Sequence, residues 1–134
     1  MNSLIQAKKF HGHLGPWLIL GLLMGRYALK KLKAKKYFGI EVKVWGANKR
    51  PESCLIDGLQ LSTGATYGKG NIIKLKGPLI KIEFINRKDN KKIILGLKDS
   101  LIQTLKKIKT TQDAELLAKK IYRRDYSWLF KTIT

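Results

Sequence analysis

Residues 14–24 form an apolar run without a single charge, and the run is interrupted only by Gly15, Pro16 and Gly21. Its eleven residues must be buried, yet a span across a bilayer needs about 20, so the run reads as a core helix. The Gly15-Pro16 pair marks its start, because proline at the first helical position loses no hydrogen bond. Helical patterning continues to about residue 36 and ends in five lysines between Lys30 and Lys36, which suit the negative end of a helix dipole. A secretory signal peptide follows its apolar core with a small-residue cleavage site, whereas here five lysines follow.

Around that helix the chain is patterned as a small α+β domain. Ile40-Glu41-Val42-Lys43-Val44-Trp45 alternates with period two, which predicts a strand with one buried face. A loop over 46–53 follows, and Ser53 is expected to cap a helix running from Cys54 to about residue 62. Short strands are expected over 72–75, 79–85 and 91–95, with turns at Gly77-Pro78 and Asp89-Asn90 and the last pair forming an antiparallel hairpin. Residues 99–108 and 113–122 have the spacing of amphipathic helices, and a tail over 123–134 carries Tyr126, Trp128 and Phe130. Helices, then strands, then helices argue N-terminal helices packed on an antiparallel or mixed sheet, with C-terminal helices. At 134 residues the chain is expected to be a single domain, and it shows no repeat or linker.

Twenty-eight Lys and Arg against nine Asp and Glu give a formal charge of +19, so the surface invites anionic partners. Hydrophobic residues make up 44% of the chain, enough for a packed core and too many for a disordered basic tail. Nucleic acid is a partner class that charge alone supports, since no helix-turn-helix, zinc-finger or RNP-like pattern occurs. Arg123, Arg124, Tyr126, Trp128 and Phe130 can stack on bases and neutralise phosphates, although such aromatics more often close a core or a dimer contact. The lone Cys54 excludes an internal disulfide and fits a reducing cytoplasm.

The residues that can carry chemistry are few. Both histidines lie in Phe10-His11-Gly12-His13-Leu14-Gly15-Pro16, and in extended backbone His11 and His13 would point to the same side and form a chelate. Cys54, at an expected helix N-terminus, would have its thiol pKa lowered. Asp57, three residues on, would share its helix face. As metal ligands, His11, His13 and Cys54 would leave a fourth position open. As an organic site, Cys54, His13 and Asp57 would be nucleophile, base and orienting carboxylate. A lone cysteine is also commonly a small buried hydrophobe, and a His-x-His pair can simply hydrogen-bond backbone. Gly64-Ala65-Thr66-Tyr67-Gly68-Lys69-Gly70-Asn71 is not a Walker A loop, which needs Gly-Lys-Ser/Thr between a strand and a helix. Lys69 can still bind an anion, and a turn needing positive φ angles accounts for the glycines equally well.

Taken together, Phe10-His11-Gly12-His13-Leu14-Gly15-Pro16, Cys54-Leu55-Ile56-Asp57-Gly58-Leu59-Gln60 and Thr63-Gly64-Ala65-Thr66-Tyr67-Gly68-Lys69-Gly70-Asn71 resemble the FmdE family of formylmethanofuran dehydrogenase proteins. The resemblance implies an α+β core, commonly dimeric, with a metal-binding or active site built from the His and Cys motifs, and an association with tungsten or molybdenum formylmethanofuran dehydrogenase operons. It carries His11, His13, Cys54 and Asp57 onto that site, and Gln60, Lys69 and Asn71 onto ligand binding. Many relatives have cysteine where this chain has Gly15 and Ala65, which implies weaker metal affinity or a shift toward nitrogen and oxygen ligands. With no cysteine after Cys54, the zinc-finger domain that some relatives append is not expected. The expectation is therefore a cytoplasmic FmdE-like homodimer with no membrane segment. Its cleft would gather His11, His13 and Cys54 around a divalent transition metal, zinc first, with Asp57 and Lys69 lining it. The alternative is a non-enzymatic basic protein that binds an oxidoreductase or other acidic partner, an anionic cofactor or, as the lesser case, nucleic acid.

Overall fold

The computed structural model describes residues 3–133. A first helix, α1 (Ser3–His11), leads into α2 (Pro16–Leu32), which is the axis of the fold. Leu18, Ile19, Leu20, Leu22, Leu23 and Met24 of α2 are all buried, because neighbours cover the helix on several sides. As its sequence implies, α2 starts at Gly15-Pro16, with Gly15 extended and Pro16 in the first turn. It ends at Leu32, keeping Lys30 and Lys31 in its last turn but stopping short of the expected residue 36: Lys33 turns left-handed (φ 52°) and the Ala34 amide donates to the Leu29 carbonyl at 3.0 Å. Among the described residues no helix is long and apolar enough to cross a membrane.

The five-stranded sheet runs in the order β2 (Ile72–Leu75), β1 (Ile40–Trp45), β3 (Lys81–Asn86), β4 (Lys92–Leu97), β5 (Phe130–Thr132). Every neighbouring pair is antiparallel except β1 and β2, which are parallel. A parallel pair needs a crossover, and α3 (Leu55–Thr63) lies on it. Register keeps one face apolar: Val42 faces Phe84, Val44 faces Ile82, and Ile82 faces Leu95. All five side chains are fully buried. That face packs on α2 through β3 and β4, while α3 and α5 (Thr111–Tyr122) flank the same helix. The fold is α+β with a mixed sheet, as the order of elements implies.

Two local expectations are corrected. Ser53 does not cap α3, because residues Glu52–Cys54 form a 3₁₀ turn that runs straight into the helix and puts Cys54, with helical angles and no side-chain cap bond, at the cap position. A side-chain cap does open α5, where the Thr110 hydroxyl accepts from the Asp113 amide at 3.0 Å. The tail adds the unexpected strand β5, whose three residues are too short to show alternation. Phe130 is buried beside Tyr27 and Tyr126, each ring 5.3 Å away, so these aromatics close a core. Trp128 stays exposed under the Arg124 guanidinium. Thr134 lies outside the described residues.

Candidate functional site

The first turn of α3 is held against α1 and the start of α2. The helix α1 has no amphipathic signature in the sequence, and His11 is its last residue, not part of an extended segment. Gly12 (φ +104°) then reverses the chain, its amide donating to the Lys8 carbonyl at 2.7 Å. This reversal, not an alternating strand, brings the two imidazoles together, with ring centroids 4.7 Å apart and planes tilted by 54°.

His11 Nδ1 and Asp57 Oδ2 are 2.5 Å apart, with the imidazole 11% and the carboxylate 37% exposed. A carboxylate in that position fixes the ring's orientation and leaves Nε2 as the nitrogen that can meet a ligand. His11, His13 and Cys54 line one cavity of about 130 Å³, whose wall is otherwise mostly apolar and includes Trp17, Leu105 and Ile108. The last two come from the end of α4 (Asp99–Lys106) and the connection beyond it, a contribution that the amphipathic pattern of α4 does not distinguish from ordinary core.

Cys54 departs from its expected chemistry. Burial, and after it the Asp57 carboxylate, push its thiol pKa up, with Arg50 pulling the other way. Desolvation and a nearby negative charge outweigh the helix N-terminus, so the sulfur is held as a thiol. Two imidazoles and a sulfur are donor types that suit zinc. Their positions do not: among the described residues no three His, Cys, Asp or Glu side chains form a group able to hold one ion. Gly15 lies under the His13 ring, a Cβ there being 3.2 Å from Cε1, so a cysteine at this position in relatives would touch that imidazole.

The remaining motif residues gather at the other end of α3. Nine helical residues span about 13 Å, and Lys69 is not among the residues lining the cavity. Its ammonium donates to the Thr66 hydroxyl at 3.0 Å and lies 5.7 Å from the centre of the exposed Phe38 ring. Asn71 is buried and ties backbone together, donating to the carbonyls of Tyr37 (2.6 Å) and Ile40 (3.0 Å) and accepting from the Thr66 amide (3.0 Å). Gln60 accepts from the Tyr67 amide at 3.0 Å.

Over 128 residues the chain is 31% identical to a protein of Archaeoglobus fulgidus named "Probable S-adenosyl-L-methionine-binding protein". The alignment covers 92% of this chain and 33% of that protein, so the chain spans about a third of its relative's length. The family described as FmdE, Molybdenum formylmethanofuran dehydrogenase operon, matches residues 10–134, which include the His11–Asp57 pair, Cys54 and the whole sheet, and the chain belongs to the FmdE family.

Proposed function

We propose that the cavity bounded by His11, His13 and Cys54 is the working centre of this domain, and that it takes a ligand of one-carbon or short acyl size. The observation that carries this reading is the 2.5 Å contact between Asp57 and His11 beside the chain's lone thiol. A thiol held protonated attacks only after giving up its proton, and a carboxylate-oriented imidazole in the same cavity is the base for that step. His11 takes the proton, Asp57 stabilises the resulting imidazolium, and the sulfur meets an acyl carbon. The relative's name makes S-adenosyl-L-methionine a candidate, but about 130 Å³ lies well under the roughly 300 Å³ at which sites for whole cofactors begin. The proposed setting is cytoplasmic one-carbon metabolism, as an enzyme or accessory factor for a molybdenum or tungsten formylmethanofuran dehydrogenase, with the chain as a homodimer.

A short acyl thioester tests the reading. Exchange with Cys54 would release the free thiol and leave an acyl group on the protein, which intact mass spectrometry detects. The adduct is expected on the unaltered chain, absent in Cys54→Ser, and about a hundredfold or more slower to form in His11→Gln, the loss expected without a positioned base. An adduct rate indifferent to His11 sinks the proposal.

A second reading has its own observation. Ligating histidines commonly give their other ring nitrogen to a carboxylate, as His11 does to Asp57. A divalent transition metal, zinc first, would then be bound by His11, His13 and Cys54 after the side chains move together. Elemental analysis of native protein decides: stoichiometric metal that is lost in both His13→Ala and Cys54→Ser establishes this reading and displaces the thiol chemistry.

A further inference from the structure

We propose that a second groove, at the end of α2 away from the histidine cavity, is a binding site for a compact dianion, a phosphoryl or dicarboxylate group on a small molecule. The groove lies between α1, α2 and α3 and has a volume of about 470 Å³, within the roughly 300–1,000 Å³ of small-molecule sites. Arg26, Lys30 and Lys36 line it with Ser3 and Gln6, and no carboxylate does. Among the described residues none of the three cations forms an ion pair. The potential in a concave site lined by one sign of charge is focused there and relieved by a counter-ion.

Arg26 is set up to be the anchor. The Ser3 hydroxyl accepts from its Nη2, and the guanidinium lies 5.7 Å from the centre of the Tyr122 ring, whose hydroxyl pKa is lowered chiefly by a hydrogen bond from Arg26. Two hydroxyl partners leave part of a five-donor fork uncommitted, and the fork's geometry matches a phosphoryl or carboxylate group. The helix dipole accounts for Lys30 in the last turn of α2. It does not account for Arg26 one turn earlier, or for Lys36 beyond the helix end. The lining has no aromatic ring, and single-stranded nucleic acid sites rely on such rings for stacking, so the groove favours a small anion over a polynucleotide.

Titration of isotope-labelled protein with inorganic phosphate and with malonate, at constant ionic strength, tests the site by NMR. Saturable shifts of the Arg26 Nε–H and Gln6 side-chain amide signals are expected with at least one of the two, and the better probe identifies the ligand's chemistry. Arg26→Gln should weaken binding by about tenfold, the loss expected for a charge-assisted fork, and Lys36→Gln by a smaller factor of a few. Lys106→Gln, on the exposed end of α4, should leave it unchanged. Because Arg26 also holds Ser3, the Lys36 variant keeps the test decisive if Arg26→Gln misfolds. Linear shifts with both probes, equal weakening by Lys36→Gln and Lys106→Gln, or a 12-nucleotide single strand that displaces phosphate and shifts the whole basic surface would each overturn the site.

Discussion

Gly21 of α2 and Gly58 of α3 meet backbone to backbone: a Cβ placed on Gly58 would be 3.0 Å from the Gly21 carbonyl carbon and would collide with the Leu18 carbonyl oxygen. A Cβ on Gly21 would strike the Leu55 carbonyl oxygen in the same way. This close approach seats the first turn of α3 where Asp57 reaches His11. Overpacking a core costs about 1–3 kcal/mol when side chains can give way. Here only backbone is available to move, so Gly58→Ala is expected at or above about 3 kcal/mol, a fall in Tm of about 10 °C. Gly68→Ala, with nothing within 4 Å of its Cβ, is the control and should hold or raise Tm. Thermal melts that leave Gly58→Ala level with the control would refute the packing account.

Asn71 should behave as a structural tie. Truncation to alanine strands the Tyr37 and Ile40 carbonyls and the Thr66 amide, and each unsatisfied buried group costs about 1–3 kcal/mol. Asn71→Ala is therefore expected to lose about 3 kcal/mol in urea denaturation, and Asn71→Asp no less, because a carboxylate cannot donate to two carbonyls. Lys69→Gln should be near neutral. An Asn71→Ala variant as stable as the parent would return this side chain to ligand duty.

Patterns that depend on local period were readable before any coordinates. Ile40, Val42 and Val44 alternate and form the buried face of β1, and the apolar run of α2 is enclosed on several sides. The helix α1 was hidden because Ala7 is its one buried residue, so docking on α2 and α3 holds it where sequence pattern does not. Motif order also carries no distance. Lys69 and Asn71 belong to the same family signature as Cys54 and Asp57, yet they lie beyond the far end of α3. The cavity wall at Leu105 and Ile108 comes from more than fifty residues downstream of Cys54, and nothing local to either segment announces the contact.

The tail aromatics should divide by burial. Phe130 is 4% exposed and packs on Tyr27 and Tyr126, whereas Trp128 is 62% exposed. Phe130→Ala is expected to cost about 3–5 kcal/mol and Trp128→Ala less than about 0.5 kcal/mol, the usual span for a surface change. Chemical denaturation of the two variants checks this. Comparable losses in both would mean that Trp128 is covered in solution, for instance by a second copy of the chain.

Cys54 provides the pH-dependent test. With burial as the first cause and the Asp57 carboxylate as the second, its pKa lies above the ordinary cysteine value. The pH midpoint of its iodoacetamide reaction should therefore exceed that of the same chain unfolded in urea. Asp57→Asn removes the second cause and should lower the midpoint without bringing it down to the unfolded value, since burial remains. Arg50→Gln removes the opposing influence and should raise it. The sign carries over to stability. A folded-state pKa above the unfolded one contributes stability that is fully present below the unfolded pKa and is lost as pH rises through the folded value. The urea midpoint should accordingly fall across that alkaline window, by less in Cys54→Ala than in the parent. A reaction midpoint below that of the unfolded chain would show that the helix N-terminus governs the sulfur after all, and would reverse the proton's direction in the proposed chemistry.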